Sequence, residues 1–378
     1  MNERPISLDE FPIHQAPLSM RHVVTSDRGA YDRSIYQVFD HAGTTNLITG
    51  MGVYPNLGVI DAFSTVTRSG PGLGTQHAVH ASDALGEDRL DQCVGPIRVE
   101  VEEPLRRIRL ICEGDPGDDA SLAYDVVWEG RSPATWEPHH VLRTGPKQIL
   151  DGRRFVQGGV GASGTIRVDG RELAVSPDGW SATRDRSWGL RNTGGETPGR
   201  YAEESDFTGF WWVWAPLQFD DHFVIVIAQE DGTGFRHLSE ALRIWDRALG
   251  RPDENLGWPQ FDVNYVAGTR RPTGASIHLV APDRTPFTIE VECLVGNPIS
   301  LGAGYPPDPE WNHGDWKGRG WVERKVYDVA AAGHVPFGLI DHSARVSYDG
   351  HVGYGIFEHG SIGRHDPSGM TDLGSVAP

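Results

Sequence analysis

Five stretches of the chain place side chains of chemical use close together. In Arg184-Asp185-Arg186-Ser187-Trp188-Gly189-Leu190-Arg191, period-two alternation sets Asp185 and Ser187 on one side of a strand. Arg184, Arg186 and Trp188 then fall on the other. An aspartate flanked by three arginines favours its charged form and would orient water or a cationic intermediate. The same forks also suit a structural ion-pair lattice with Trp188 as a packing anchor. In Gly353–Gly360, Tyr354, Ile356 and Glu358 share a strand face, which sets a carboxyl among apolar and aromatic neighbours. Such a group has a raised pKa and can donate a proton, although an ordinary ion pair at a strand end fits the same residues. The loop Tyr305–Trp316 is stiffened by three prolines and carries Trp311, His313 and Trp316. His313 suits general acid or base work because imidazole titrates near neutrality. A tryptophan-pinned lid with a solvated histidine is the plainer reading. Tyr54, in Gly52-Val53-Tyr54-Pro55-Asn56-Leu57-Gly58 with Asp61 following, either presents its hydroxyl to a pocket or simply turns a corner. Trp211-Trp212-Val213-Trp214 would supply an aromatic wall, Trp211 shaping the pocket and the indole faces favouring positive charge.

Other chemistries find less support. The pairs His139-His140, His313 with Asp315, and His365-Asp366 lack the i, i+4 spacing of a helical zinc motif. No metal is expected, and no cofactor: there is no Walker loop, no dinucleotide glycine motif and no serine elbow. Cys93, Cys112 and Cys293 are too few and too scattered for a disulfide framework.

The elements that must hold these residues read as strands. Ile97–Glu102 and Phe287–Glu292 alternate apolar and charged residues, the mark of a strand with one wet face. Asp169-Gly170 and Asp349-Gly350 are hairpin turns. A solitary helix is expected over 238–249, because Leu238, Ala241, Leu242, Trp245, Ala248 and Leu249 fall on one helical face and Gly250 and Pro252 would end it. The polar, Gly/Pro-rich segment Asn192–Gly199 reads as a linker, giving two β domains, 1–191 and 200–378.

The bulk properties agree. A chain of 378 residues suits two domains, and 47 glycines and 26 prolines spread along it suit many short strands. A net charge of −18 argues against a nucleic-acid or anionic-membrane surface. The N-terminal stretch lacks the apolar core of a signal peptide, and no apolar run approaches a membrane span. A cytoplasmic protein with no membrane span is expected, and a homodimer is left open.

Together, Tyr31-Asp32-Arg33, Gly52–Asn56, Val94-Gly95-Pro96-Ile97, Arg184–Arg191, Trp311–Trp316 and Gly353–His359 resemble the hydroxyneurosporene synthase (carotenoid hydratase) and AttH-like group of the calycin, or lipocalin-like, superfamily. The resemblance implies an all-β fold of two tandem lipocalin-like antiparallel barrels, with a ligand site in or between them. It also implies hydration of an isoprenoid double bond, or cofactor-free cyclisation of polyketides. The hydratases read Asp-His-x-Trp-Gly where this chain has Asp185–Gly189. Arg186 replaces that histidine and cannot donate a proton. Acid chemistry would therefore fall to Asp185, His313 or Glu358. Tyr54, Arg186, Trp188, Trp211, Trp311, Trp316 and Tyr354 would contact the substrate.

Two functions follow as expectations. One is a hydratase, dehydratase, isomerase or cyclase acting without a cofactor on a hydrophobic terpenoid, steroid or polyketide-like molecule. The other is a lipocalin-type carrier or sensor with no chemistry. A pocket in which ionisable groups from both domains meet favours the enzyme, and a purely apolar pocket favours the carrier.

Overall fold

The computed structural model describes residues 4–5, 7–12, 22–69, 74–118, 120–144, 147–191, 208–305, 311–329 and 339–377. Two curled antiparallel sheets follow one another along the chain. The middle of the first sheet runs Val59–Arg68, Thr45–Tyr54, Ala30–Asp40, Trp180–Arg191, Lys147–Val168 and Ala123–Gly130, in that spatial order. The middle of the second runs Arg236–Trp245, His222–Asp231, Gly209–Gln218, His351–Gly363, Ile340–Tyr348 and Pro286–Pro298. One strand crosses between halves: Trp321–Asp328 pairs with Thr75–Ala84 at the edge of the first sheet, so the segment after residue 200 builds part of both sheets. The proposed linker, 192–199, lies outside the described residues.

Each sheet closes around its own apolar core. Val38, Leu47, Leu110, Val126, Trp128 and Ile166 belong to the first core, and Val213, Leu217, Val224, Ile277, Ile289 and Phe357 to the second. A third cluster, including Phe39, Val156, Trp212, Trp214, Phe223, Ile225 and Ile356, joins the outer faces of the two sheets. The central strands are thus covered on both faces. Tyr36 and Val38 face the first core while Ile35 and Phe39 face the seam.

Double coverage explains why the expected helix at 238–249 is instead a strand, Arg236–Trp245. It pairs in register with His222–Asp231, placing Ala241 against Val226 and Ile244 against Phe223. Leu238, Leu242 and Ile244 pack toward the seam, and Ala241 toward the second core. Apolar residues on both faces of a strand produce spacings of three and four, which imitate a helical stripe. Gly250 closes only a short 3-10 turn, Arg247–Leu249, in the left-handed conformation glycine allows. The one α-helix among the described residues is the single turn Ile299–Gly302. None is long and apolar enough to cross a membrane.

The N-terminal turn Ser7–Glu10 is inserted into the first shell. Glu10 is fully buried there, accepting from Arg184 at 2.6 Å and from the Leu105 amide at 2.7 Å. Its carbonyl accepts from Arg186 at 2.7 Å.

Candidate active site

A cavity of about 440 Å³ opens at the seam, lined by both sheets and by the loop before Trp321–Asp328. The first sheet contributes Ile35 and Gln37 from Ala30–Asp40, Asp185 and Ser187 from Trp180–Arg191, and Arg154 from Lys147–Val168. The second contributes Trp212, Trp214, Asp341 and Glu358. Ile48, Phe63, Phe210, Ile299 and Leu339 give it apolar walls. The volume falls in the range typical of small-molecule sites, roughly 300–1,000 Å³.

Strand register assembles the acidic end. Asp341 and Glu358 lie directly opposite each other on neighbouring strands, and Trp214 lies opposite Glu358 on the next. Residues so paired have Cβ atoms about 5 Å apart. Trp212 Nε1 donates to Glu358 Oε1 at 2.7 Å. Burial lifts the Glu358 carboxyl to about 7, against the pull of Arg154 and the Trp212 bond. Asp341 is raised well above its ordinary range, again by burial first and then by Glu358 and Asp185. Two adjacent buried carboxyls hold at least one proton between them near neutral pH.

A hydrogen-bond chain across the seam sets the orientation of Asp341. Thr183 Oγ1 donates to Gln37 Oε1, and Gln37 Nε2 donates to Asp341 Oδ2. Asp341 Oδ1 is buried without a hydrogen-bond partner among the described residues. That oxygen is the natural place for the proton.

Arg154 balances the acidic groups. Its Nε lies 3.2 Å from Asp185 Oδ2, and its Nη1 lies 3.5 Å from Glu137. Glu137 also accepts from Trp214 Nε1 at 2.8 Å and is lifted by burial to about 7. Asp185 is raised by burial too, opposed by Arg154, Arg33 and Arg191.

The loop 311–316 forms the other end. Trp311 is completely buried and stacks on His80, with ring centroids 5.0 Å apart. Gly304 runs against the Trp311 ring so closely that a Cβ would lie 2.3 Å from it, and its φ of +71° also favours glycine. That contact sets Tyr305 and His313 side by side, edge to face at 4.8 Å. Asp61 accepts from the Gly314 amide at 2.6 Å and pins the loop. Residues 306–310 lie outside the described residues. His313 is 4% exposed, and neither ring nitrogen has a hydrogen-bond partner among the described residues. Burial, then Arg33 and Arg191, hold it well below its ordinary pKa. The ring is neutral at pH 7, able to accept one hydrogen bond and donate another but not to act as an imidazolium acid.

The cavity thus gathers His313, Asp185 and Glu358, the three side chains singled out for chemistry in the sequence. It does not gather the seven expected to contact substrate. Arg186 points to the interior of the first shell, where it binds Asp32 at 2.8 Å, so the position that departs from the hydratase motif does not face the cavity. Trp211 faces the second core, stacked on His365, while Trp212 and Trp214 form the wall. Alternation separates these tryptophans, but a strand apolar on both faces does not reveal which side is the pocket. Trp311 lies behind His313, and Tyr54 packs with Tyr31 and Val59. Trp188 packs edge-on against Trp136, Tyr354 stacks on His41 at 3.8 Å, and Trp316 is 54% exposed.

Arg154, Asp341, Gln37 and Glu137 escaped the sequence reading. The one signal for Asp341 is a lone carboxylate after Leu339-Ile340. Arg154 is indistinguishable in sequence from its neighbour Arg153.

No curated protein matches the chain in sequence. Two solved structures are similar to it. A protein assigned as AttH from Nitrosomonas europaea shares 14% identity over 88% of this chain and 92% of that one, with a TM-score of 0.49. Kievitone hydratase from Nectria haematococca shares 13% identity over 92% and 93%, with a TM-score of 0.46. A family model matches residues 6–371, and the chain belongs to that family, a family of unknown function (DUF8625).

Proposed function

We propose that the protein is an acid–base enzyme, a hydro-lyase or isomerase, working without a cofactor on the carbon–carbon double bond of a hydrophobic small molecule of terpenoid, steroid or polyketide type. The observation that carries this reading is the meeting, in one largely apolar cavity, of carboxyls from the second sheet with a carboxylate–arginine pair from the first. A carrier gains nothing from buried carboxyls, which are costly to desolvate.

In the proposed reaction the Asp341–Glu358 pair delivers its proton to one carbon of the double bond. The indole faces of Trp212 and Trp214 and the Asp185 carboxylate stabilise positive charge developing on the other carbon. In hydration, water held by Asp185 then forms the new C–O bond and its proton returns to the carboxyl pair. In isomerisation, loss of a proton from an adjacent carbon restores the pair. Arg154 opposes the effect of burial on Asp185 and holds its carboxyl in place.

The test begins with native mass spectrometry and organic extraction of the purified protein, to identify any retained molecule. That compound, or a panel of terpenoid, steroid and polyketide-like alkenes, is then offered to wild-type protein and to Glu358→Gln and Asp341→Asn. Loss of a positioned acid costs on the order of 10²–10⁴ in rate. Each variant should therefore bind as wild type does and turn over at least a hundredfold more slowly. Unchanged turnover in both variants would refute the assignment.

A further inference from the structure

Resting on the reading above, the geometry points to a substrate class: we infer that the molecule carries a hydrogen-bond-accepting carbonyl oxygen at the end remote from its reacting double bond, docked between Tyr305 and His313. The two ends of the cavity differ in kind. Asp341 and Glu358 stand at one end, and Asp185, opposite Ile35 on the neighbouring strand, lies between the two. At the other, Arg33 Nη2 donates to the Tyr305 hydroxyl at 2.7 Å. That oxygen is acting as an acceptor, so its own proton is left for another acceptor. His313 beside it has two ring nitrogens without partners among the described residues, although the side chain is almost wholly buried and lines the cavity. An unsatisfied buried polar group is costly, and a ligand oxygen here removes that cost. The Arg191 guanidinium lies 5.7 Å from the centre of the Tyr305 ring and also lines the cavity. Two arginines, a phenol and a neutral imidazole make this end rich in donors, a setting that suits a carbonyl and wastes itself on a pure hydrocarbon.

The first sheet also sets the spacing. Arg33, which holds Tyr305, and Gln37, which holds Asp341, point the same way along Ala30–Asp40 with Ile35 between them. Four residues of extended chain span about 13 Å. The oxygen and the reacting carbon are therefore held at opposite ends of an apolar scaffold. The carbonyl sets register and specificity and takes no part in the bond changes.

The experiment uses matched pairs of terpenoid, steroid and polyketide-like alkenes, each pair differing only by a terminal carbonyl in place of a methylene. Binding is read from quenching of tryptophan fluorescence, to which Trp212 and Trp214 in the cavity wall report. At least one carbonyl member should bind about tenfold more tightly than its partner, as one or two net hydrogen bonds allow. Tyr305→Phe should erase most of that advantage, with circular dichroism and melting temperature showing that the variant is folded. His313→Gln, which keeps a donor and an acceptor, should retain part of it. Equal binding within every pair, or an advantage that survives Tyr305→Phe, would overturn the inference. A carbonyl advantage without turnover of any compound would leave the inference standing and remove the enzymatic reading. Binding of no compound would remove both.

Discussion

At Glu358, burial lifts the carboxyl to about 7, whereas in the unfolded chain it titrates near 4.3. The folded state therefore keeps a proton that the unfolded state has lost. This contribution to stability is full below about pH 4.3 and is lost as pH rises through about 7. His140 and His359 are held down to about 4 by burial and act in the opposite sense, losing stability as pH falls below about 6.5. The wild-type profile mixes the two, so the group is isolated by difference. Glu358→Gln should melt within a degree or two of wild type near pH 5 and at a progressively higher temperature than wild type toward pH 8. A difference that does not vary with pH would mean that Glu358 is ionised throughout. Gln37 is a positioning residue. Its replacement by Leu removes the Thr183–Gln37–Asp341 chain, and turnover should fall at least tenfold with KM little changed. The alkaline limb of the rate–pH profile, where the carboxyl pair loses its proton, should also shift, which lost packing alone would not produce.

Among the elements, the N-terminal turn Ser7–Glu10 does the most for its length. Glu10, Arg184 and Arg186 form a polar network inside the first shell, where removing the Glu10 carboxylate leaves the buried Arg184 charge without its carboxylate partner. Breaking a buried pair this way costs about 3–5 kcal/mol. Glu10→Ala should lower stability by that order in urea titration, and pairing Glu10→Leu with Arg184→Met should recover much of it. If Glu10→Ala melts like wild type, the turn is not docked in solution. Elements of this kind mark the limit of what the sequence conveys. Alternation in 184–191 was legible because that strand is polar on both faces, and it placed Asp185 opposite Arg184 and Arg186. In 236–245 it was not, because the strand is apolar on both faces and its pattern imitates a helix. Asp341 was hidden for a related reason. Its importance comes from lying opposite Glu358, and register between strands leaves no trace in either one alone.

Across the whole molecule, the outer faces of two curled sheets meet, and the seam between them is both core and cavity. The all-β architecture was readable from turn spacing and composition. The location of the cavity was not, since it depends on which face of each central strand turns outward. The same packing makes chemistry depend on both halves: Arg154 and Asp185 come from one sheet, Asp341 and Glu358 from the other. Proton transfer to carbon within this seam is the central claim, and solvent deuterium reports it directly. The protein is incubated in D₂O with its extracted ligand or with the alkene panel, and the recovered compounds are weighed by mass spectrometry. The account predicts carbon-bound deuterium in the product, whether the outcome is hydration or isomerisation, and a loss of that label in the Glu358→Gln, Asp341→Asn double variant. A compound that binds the cavity tightly and returns with no deuterium on carbon would contradict the account and leave a carrier in its place.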